Sequence, residues 1–147
     1  MENEHYAYIL TVDKKYWNRL IQRNKTTLGT HVFIRKSQVP PKTAQQLLFY
    51  VTGPKKKQVL GAADFMERLV GNSLDLWQKY GSESCFENLE EYIRFASGRG
   101  KMTFVRFCNF HEIQNPKPKA DLIKVIGPLS RFGVGRYLNA GEAAQLV

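Results

Sequence analysis

Strand-like and helix-like apolar patterns follow one another in this sequence without regular alternation. Asp13 is placed to cap an amphipathic helix, two more helices are predicted between residues 72 and 98, and a short one near the C-terminus. Because a helix does not follow each strand, the order is typical of an α+β fold rather than of a regular βαβ fold. Six segments rich in β-branched or aromatic residues are predicted to be strands: 5–12, 30–35, 47–51, 59–66, 101–113 and 122–126.

A β-hairpin is predicted where two of these strands flank a short basic turn. Residues 47–51 are continuously apolar, a Gly-Pro pair turns the chain, and lysines occupy positions 55–57. Gly61 interrupts the second strand, which indicates either a bulge or the close approach of another backbone or of a ligand. We expect the strands to form a small, partly closed mixed β-barrel with flanking helices, since closure protects strand edges.

The charges of the chain are arranged in blocks. From residue 14 to residue 63 there is no Asp or Glu, yet eleven of the 22 Lys and Arg residues lie there. The segment 64–91 reverses this with seven acids and two bases, and the basic excess then returns. A net charge of +9 distributed in this way predicts a surface that binds a polyanion such as RNA. An acidic protein would satisfy the same charge, and a basic surface can also serve solubility alone.

The bulk properties predict one domain covering 1–147, because 43% hydrophobic content is enough for a core. No run approaches the roughly 20 apolar residues of a membrane helix, and the first residues lack a signal-peptide pattern. We therefore expect a cytoplasmic protein with no membrane partner, and the sequence indicates no oligomeric state. Cys85 and Cys108 are expected to be free, buried thiols in that reducing compartment.

No metal or organic cofactor is predicted. The three histidines, at positions 5, 31 and 111, are far apart and lack the spacing of metal ligands. Gly133 and Gly135 resemble part of a dinucleotide-binding loop, but Leu138 stands where the third glycine belongs and no βαβ unit precedes it. This loop is therefore either a plain surface turn or a place where flanking arginines contact phosphate.

Two kinds of residue are candidates for binding nucleic acid. Lysine and arginine side chains contact phosphates, and an exposed ring stabilises an unstacked base by roughly 1 to 3 kcal/mol. Most aromatic residues lie in strand patterns and are assigned to the core, which leaves Phe132 and Tyr137 as candidate stacking residues. The full set of candidates is Lys14, Lys15, Lys25, Arg35, Lys36, Lys55, Lys56, Lys57, Arg131, Phe132, Arg136 and Tyr137.

Short motifs distributed along most of the chain share one resemblance. RNKTT at 23–27 follows the first helix, and LLFYVTG at 47–53 precedes VLGAADF at 59–65. Together with the motifs below they resemble ASCH- and EVE-related domains of the PUA-like superfamily, and most of all a mainly archaeal family within it. The remaining motifs are WQKYG at 77–81, ENLEEYI at 87–93, MTFVRFCNFHEI at 102–113, NPKPK at 115–119 and GRYLNAG at 135–141.

The resemblance implies a pseudo-barrel with helices lining a cleft, which relatives use to bind RNA or a modified nucleobase. We therefore expect a non-catalytic RNA- or modified-nucleobase-binding module that uses a basic cleft and the hairpin tip. The alternative is an ASCH-like amidohydrolase acting on an acylated nucleoside, with a lysine and a threonine from the turn and a distant glutamate. Lys25 matches the lysine, but Leu28 stands where the threonine is expected. Thr27 or the adjacent Thr26, with Glu67, would have to serve instead, and this departure favours binding over catalysis.

Overall fold

A computed structural model of the chain describes residues 5–27, 29–36, 41, 43–53, 57–127 and 135–147. None of the helices in these ranges is long and apolar enough to cross a membrane. A 3-10 turn, Gly81–Glu83, follows the second helix. The described strands are β1 (Ala7–Asp13), β2 (His31–Arg35), β3 (Gln46–Thr52), β4 (Lys57–Asn72), β5 (Lys101–Pro118) and β6 (Gly135–Leu138). The described helices are α1 (Lys14–Thr26), α2 (Ser73–Tyr80), α3 (Leu89–Ala96), α4 (Lys119–Ile126) and α5 (Ala140–Ala144).

The six strands form one mixed sheet in the order β2-β5-β4-β3-β1-β6. Strands β1 and β3 are parallel, and the other neighbours are antiparallel. Among the described residues no ladder joins β2 to β1 or β6, so the α+β class is confirmed but the expected closure into a barrel is not. The physical reason is that a cavity, rather than hydrogen-bonded backbone, lies between β2 and the end of β1.

Helix α1 begins where the sequence predicts and packs on the sheet through its apolar stripe. The Asp13 carboxylate accepts a hydrogen bond of 2.6 Å from the backbone N–H of Tyr16, which caps the first turn. Trp17 and Leu20 lie three residues apart and are both buried. The Trp17 ring lies 5.4 Å from that of Phe110. Of the basic residues of the helix, Lys14, Lys15 and Lys25 are exposed, whereas Arg19 and Arg23 are half-buried.

The structure at Gly61 contains both of the features that the sequence indicates as alternatives, a bulge and a close approach of neighbouring atoms. The pairing register shifts between Val59 and Gly61, so the strand bulges at Leu60. A side chain at position 61 would place its Cβ 2.5 Å from Cη2 of Trp17 and 3.1 Å from the carbonyl oxygen of His111. The close approach of α1 to the sheet therefore depends on a residue without a side chain.

The hairpin between β3 and β4 lies at the same end of the sheet as the start of α1. Thr52 is paired with Lys57 across the hairpin and with Asp13 across the parallel pair. Residues 54–56 lie outside the described residues. The described ends of β3 and β4 and the start of α1 thus share one end of the sheet.

The segment predicted as a strand at 122–126 is a helix, α4, and that prediction was wrong. Leu122 is fully buried and Val125 is half-buried, which is the i, i+3 spacing of a helix face. Gly127, with φ of +86°, ends the helix. The β-branched residues at 123, 125 and 126 favour a strand by their intrinsic propensity. The segment is nevertheless a helix, because this places both Leu122 and Val125 against the core.

Candidate ligand-binding cavity

A cavity of about 540 Å³ lies between the end of β1 and β2. Among the described residues β6 is paired with β1 from Ala7 to Leu10, and the last three residues of β1 line the cavity. Helix α1 and the chain around α3 complete the walls. The lining residues are Thr11, Val12, Asp13, Lys15, Tyr16, Arg19, Val32, Phe33, Ile34, Ser84, Cys85, Phe86, Glu91, Arg94 and Phe95.

Four aromatic rings give the cavity flat apolar walls. The rings of Tyr16 and Phe33 lie 4.8 Å apart, and those of Phe86 and Phe95 lie 5.2 Å apart. The ammonium group of Lys36 lies 4.9 Å from the centre of the Phe95 ring, a cation–π contact. Such walls suit a planar ligand, because aromatic surfaces stack favourably on π-systems.

Two hydroxyl groups in the lining are buried without a well-formed hydrogen bond to the described residues. Among the described residues, Thr11 Oγ1 has no hydrogen-bond partner, and the polar neighbour of the Tyr16 hydroxyl is the Cys85 thiol, which does not meet hydrogen-bond geometry. Burial raises the pKa of Tyr16 well above its usual value, so the phenol is neutral. Burial also raises the pKa of the neighbouring Cys85 thiol to about 11, and a protonated thiol is a weak hydrogen-bonding group. An unsatisfied buried hydroxyl costs about 1 to 3 kcal/mol. Both oxygens are closed to solvent, so a ligand would reach them only if neighbouring side chains shift.

An ion pair fixes the wall between α1 and α3. The Arg19 guanidinium donates to both carboxylate oxygens of Glu91, at 2.5 and 2.9 Å, and to the carbonyl oxygen of Cys85 at 3.3 Å. The hydrogen bonds from Arg19 lower the pKa of Glu91 to about 2. With Lys15 and Arg94 also in the lining, the cavity has three basic and two acidic side chains and a slight positive excess.

The sequence matches no protein-family model, and no curated protein matches it significantly. Solved structures do match. ASCH from Zymomonas mobilis superimposes with a TM-score of 0.76 at 20% identity, covering 96% of this chain and 93% of that chain. The chain has the ASCH fold.

Two other solved structures superimpose on this chain with lower TM-scores. A protein from Pseudomonas putida gives a TM-score of 0.54 at 6% identity, covering 94% of this chain and 95% of that chain. A hypothetical protein from Leishmania major gives 0.50 at 15% identity, covering 95% of this chain and 90% of that chain. The expected resemblance to ASCH domains is confirmed at the level of the fold by the Zymomonas mobilis structure, while the PUA-like superfamily and the mainly archaeal family remain predictions.

Within the ASCH fold, only some of the candidate nucleic-acid contacts lie near the cavity. Lys15 lines it, Lys14 precedes it in the first turn of α1, and Lys36 covers the ring of Phe95. Lys25 is exposed in the last turn of α1 and does not line the cavity. Arg35 is only 8% exposed and is hydrogen-bonded to Tyr8. It therefore has a structural role and is not placed to contact nucleic acid.

The remaining candidates lie at the hairpin and at β6. Arg136 is exposed on β6, opposite Ile9 of β1. Tyr137 is half-buried, and its ring stacks on His5 with centroids 3.9 Å apart, which covers one of its faces. Five predicted contacts have side chains outside the described residues, namely Lys55, Lys56, Lys57, Arg131 and Phe132.

The residues considered for amidohydrolase chemistry are not assembled at the cavity. Glu67 is bound by Arg106, with 2.5 Å between Oε2 and Nη1, and Glu83 binds the same guanidinium at 3.0 and 3.1 Å. Lys25 and Thr27 are exposed at the end of α1, and none of the three candidates is in the cavity lining. Within the described part of the chain, no three His, Cys, Asp or Glu side chains are grouped to hold a metal.

Sequence reasoning missed the residues that characterise the cavity. Helical spacing places Tyr16 and Phe86 on the apolar stripes of two helices, and nothing in the sequence singles out Phe33 or Phe95 as cavity residues. One signal was present: Thr11 is a polar residue inside an otherwise buried strand, where an unpaired hydroxyl is costly.

Proposed function

We propose that this protein is an RNA-binding module that holds one unstacked nucleobase in the cavity between β1, β2, α1 and α3. The observation that carries the proposal is the combination of aromatic walls with two buried hydroxyls, that of Thr11, which has no partner among the described residues, and that of Tyr16, whose polar neighbour is only a thiol. A volume of about 540 Å³ lies within the usual range for small-molecule sites. A nucleobase has a π-face for the walls and a polar edge for the hydroxyls.

Hydroxyl groups are suited to recognising the polar edge of a nucleobase. Each hydroxyl donates one hydrogen bond and accepts others, so Thr11 and Tyr16 can match donors and acceptors on the same ligand. Their burial removes competition from bulk water and makes each hydrogen bond more selective. A base whose edge carries a modification would change that pattern, and modified bases therefore belong among the candidate ligands.

Basic residues around the cavity supply the contact to phosphates. Lys15 lines the cavity, Lys14 precedes it on α1 and Lys36 lies over Phe95, while Lys55, Lys56 and Lys57 remain predicted contacts whose side chains lie outside the described residues. These contacts give affinity without sequence selectivity, whereas the cavity gives selectivity. Because Lys25, Thr27 and Glu67 do not line the cavity, binding without catalysis is the function that this arrangement supports.

The test removes the hydroxyls without changing the shape of the cavity. We expect Tyr16→Phe and Thr11→Val each to weaken binding of ribonucleosides or short RNA by roughly 2- to 10-fold, the value of one neutral hydrogen bond. Titrations use the four standard ribonucleosides, acetylated and methylated nucleosides, and oligoribonucleotides. Because neither hydroxyl makes a well-formed hydrogen bond to the described residues of the free protein, the same changes should leave its free energy of unfolding unchanged or raise it.

Tyr92→Phe is the matched control. The Tyr92 hydroxyl donates to the carbonyl oxygen of Ser73 at 2.8 Å, away from the cavity lining. Its removal should lower stability by about 1 kcal/mol and leave affinity unchanged. The proposal fails if no nucleoside or RNA binds saturably, or if Tyr16→Phe and Thr11→Val bind as the wild type does.

A further inference from the structure

A second depression, of about 380 Å³, adjoins the cavity on the outer side of α1. The two spaces share Arg19 and the segment 84–86, so they lie on either side of the same wall. The depression's own residues are Asn18, Gln22, Arg23 and Glu87. A ligand that extends out of the cavity past Arg19 would enter it.

The depression differs from the cavity in its chemistry. Six of its eight lining residues have polar or charged side chains, although most of the surface they expose there is apolar, and Asn18 and Gln22 are exposed amide side chains of α1. Its one carboxylate, Glu87, lies 3.4 Å from Arg19 and is paired with it. A space that offers amide donors beside an arginine suits an anionic, hydrogen-bond-accepting group.

Arg23 gives the depression a positive charge that no carboxylate neutralises. Its guanidinium donates to the carbonyl oxygens of Thr30 and Ser82, at 3.2 and 2.9 Å, and to the ring of His31. Among the described residues no acidic side chain forms an ion pair with it. Arg19, in contrast, is paired with Glu91 and Glu87, so its charge is neutralised, whereas Arg23 is held in place by uncharged partners and keeps its positive charge.

We propose that this depression binds the phosphate and sugar next to the base in the cavity. The ligand is then a nucleotide within a single strand rather than a free nucleoside. This inference rests on the proposed function, because it needs a base in the cavity. It assigns the recognition of the strand to Asn18, Gln22 and Arg23, which the sequence did not indicate as contacts.

The test changes the charge at the depression and leaves unchanged Arg19 and the segment 84–86, which separate it from the cavity. Gln22 is exposed, so Gln22→Glu and Gln22→Lys should both fold. Gln78→Glu, on the exposed surface of α2, is the control with the same change in net charge. The probes are the nucleoside of highest affinity and the trinucleotide that carries it between two uridines, at one fixed salt concentration.

We expect the trinucleotide to bind more tightly than the nucleoside to the wild type. Gln22→Glu should weaken trinucleotide binding by roughly fivefold, the effect of one unit charge about 4 Å from another in water, and Gln22→Lys should strengthen it. The nucleoside should bind both variants as it binds the wild type. The inference is overturned if the trinucleotide has no advantage, or if Gln22→Glu acts no more strongly than Gln78→Glu. Binding that depends on Tyr16 but not on the charge at position 22 would overturn this inference alone, whereas no binding of either probe would overturn the proposed function with it.

Discussion

Arg19 and Glu91 are joined by two hydrogen bonds, 2.5 and 2.9 Å long, which connect the basic helix α1 to the acidic segment that forms α3. Glu87 lies 3.4 Å from the same guanidinium. The acidic block of the sequence therefore folds against the acid-free block and neutralises part of it. The positive surface that remains is smaller than the sequence suggests, and it includes the exposed ends of α1.

This ion pair makes acid stability depend on Glu91. The pKa of Glu91 falls from 4.5 to about 2 in the folded protein, chiefly through its hydrogen bonds to Arg19. A lowered carboxyl pKa stabilises the fold above pH 4.5, and this contribution is lost as the pH falls from about 4.5 to 2. We expect Glu91→Gln to be less stable than the wild type at pH 6, with the difference shrinking towards pH 2. Urea denaturation across this range measures it, and Glu90→Gln, exposed on the same helix, should show no such convergence.

A second pH dependence comes from His31. Its ring is fully buried, accepts a hydrogen bond from Arg23 and lies 2.9 Å from Asn24 Oδ1, which assigns the proton to Nε2. Burial and the Arg23 charge lower its pKa from 6.5 to about 4. The unfolded chain takes up a proton near pH 6.5 and the folded protein only near pH 4, so stability falls as the pH drops through this range.

We expect this loss to approach about 1.4 kcal/mol per pH unit at its steepest. Denaturation between pH 7.5 and 4 measures it, and His31→Gln should flatten the slope while lowering stability at pH 7. His111→Gln, at an exposed histidine, is the control and should keep the wild-type slope. A ¹H–¹⁵N spectrum in which the ring of His31 is protonated at pH 5.5 would contradict this assignment.

The contact of Gly61 with Trp17 predicts a large effect of one methyl group. The Cβ of alanine at position 61 would lie 2.5 Å from Trp17 Cη2, and the buried indole cannot move without disturbing the rings around it. We expect Gly61→Ala to cost about 1 to 3 kcal/mol in the free energy of unfolding. Gly100→Ala, with nothing within 4 Å, should cost nothing or stabilise slightly. Adding Trp17→Phe should recover part of the loss, and additive effects of the two changes would show that the contact is not the cause.

Local patterns in the sequence predict much of the fold. The Asp13 cap, the burial of Trp17 and Leu20 and the apolar strand β3 follow from spacing and side-chain type. The error at α4 arose because β-branched residues favour strands while Leu122 and Val125 are buried at helical spacing. That conflict is settled by contacts with distant strands, which no local pattern contains.

The cavity was beyond sequence reasoning for a related reason. Its walls come from β1, α1, β2 and α3, and no single segment shows that these meet. Tyr16 and Phe33 fit the same apolar spacing in the sequence whether their rings are packed in a core or line a cavity. The sequence does not show what lies against the second face of each ring. The blocks of charge predict a positive surface, and this stays a prediction, but the pairing of Arg19 with Glu91 could not be predicted from residues 72 positions apart.

The salt dependence of RNA binding tests which basic residues meet phosphates. If about four phosphates are neutralised, the slope of log affinity against log salt should be roughly −3 on single strands, because each contact contributes about −0.7. Lys14 and Lys15 lie beside the cavity, so changing both to alanine should reduce the slope by about 1.4, and changing the lysines at 55–57 should also flatten it. The control changes Lys79 and Lys101, both exposed, to alanine; Lys101 pairs with Asn72, at the far end of β4 from Lys57. Equal flattening in the control would indicate diffuse attraction by net charge, and a wild-type slope near zero would mean that phosphates are not what the basic residues bind.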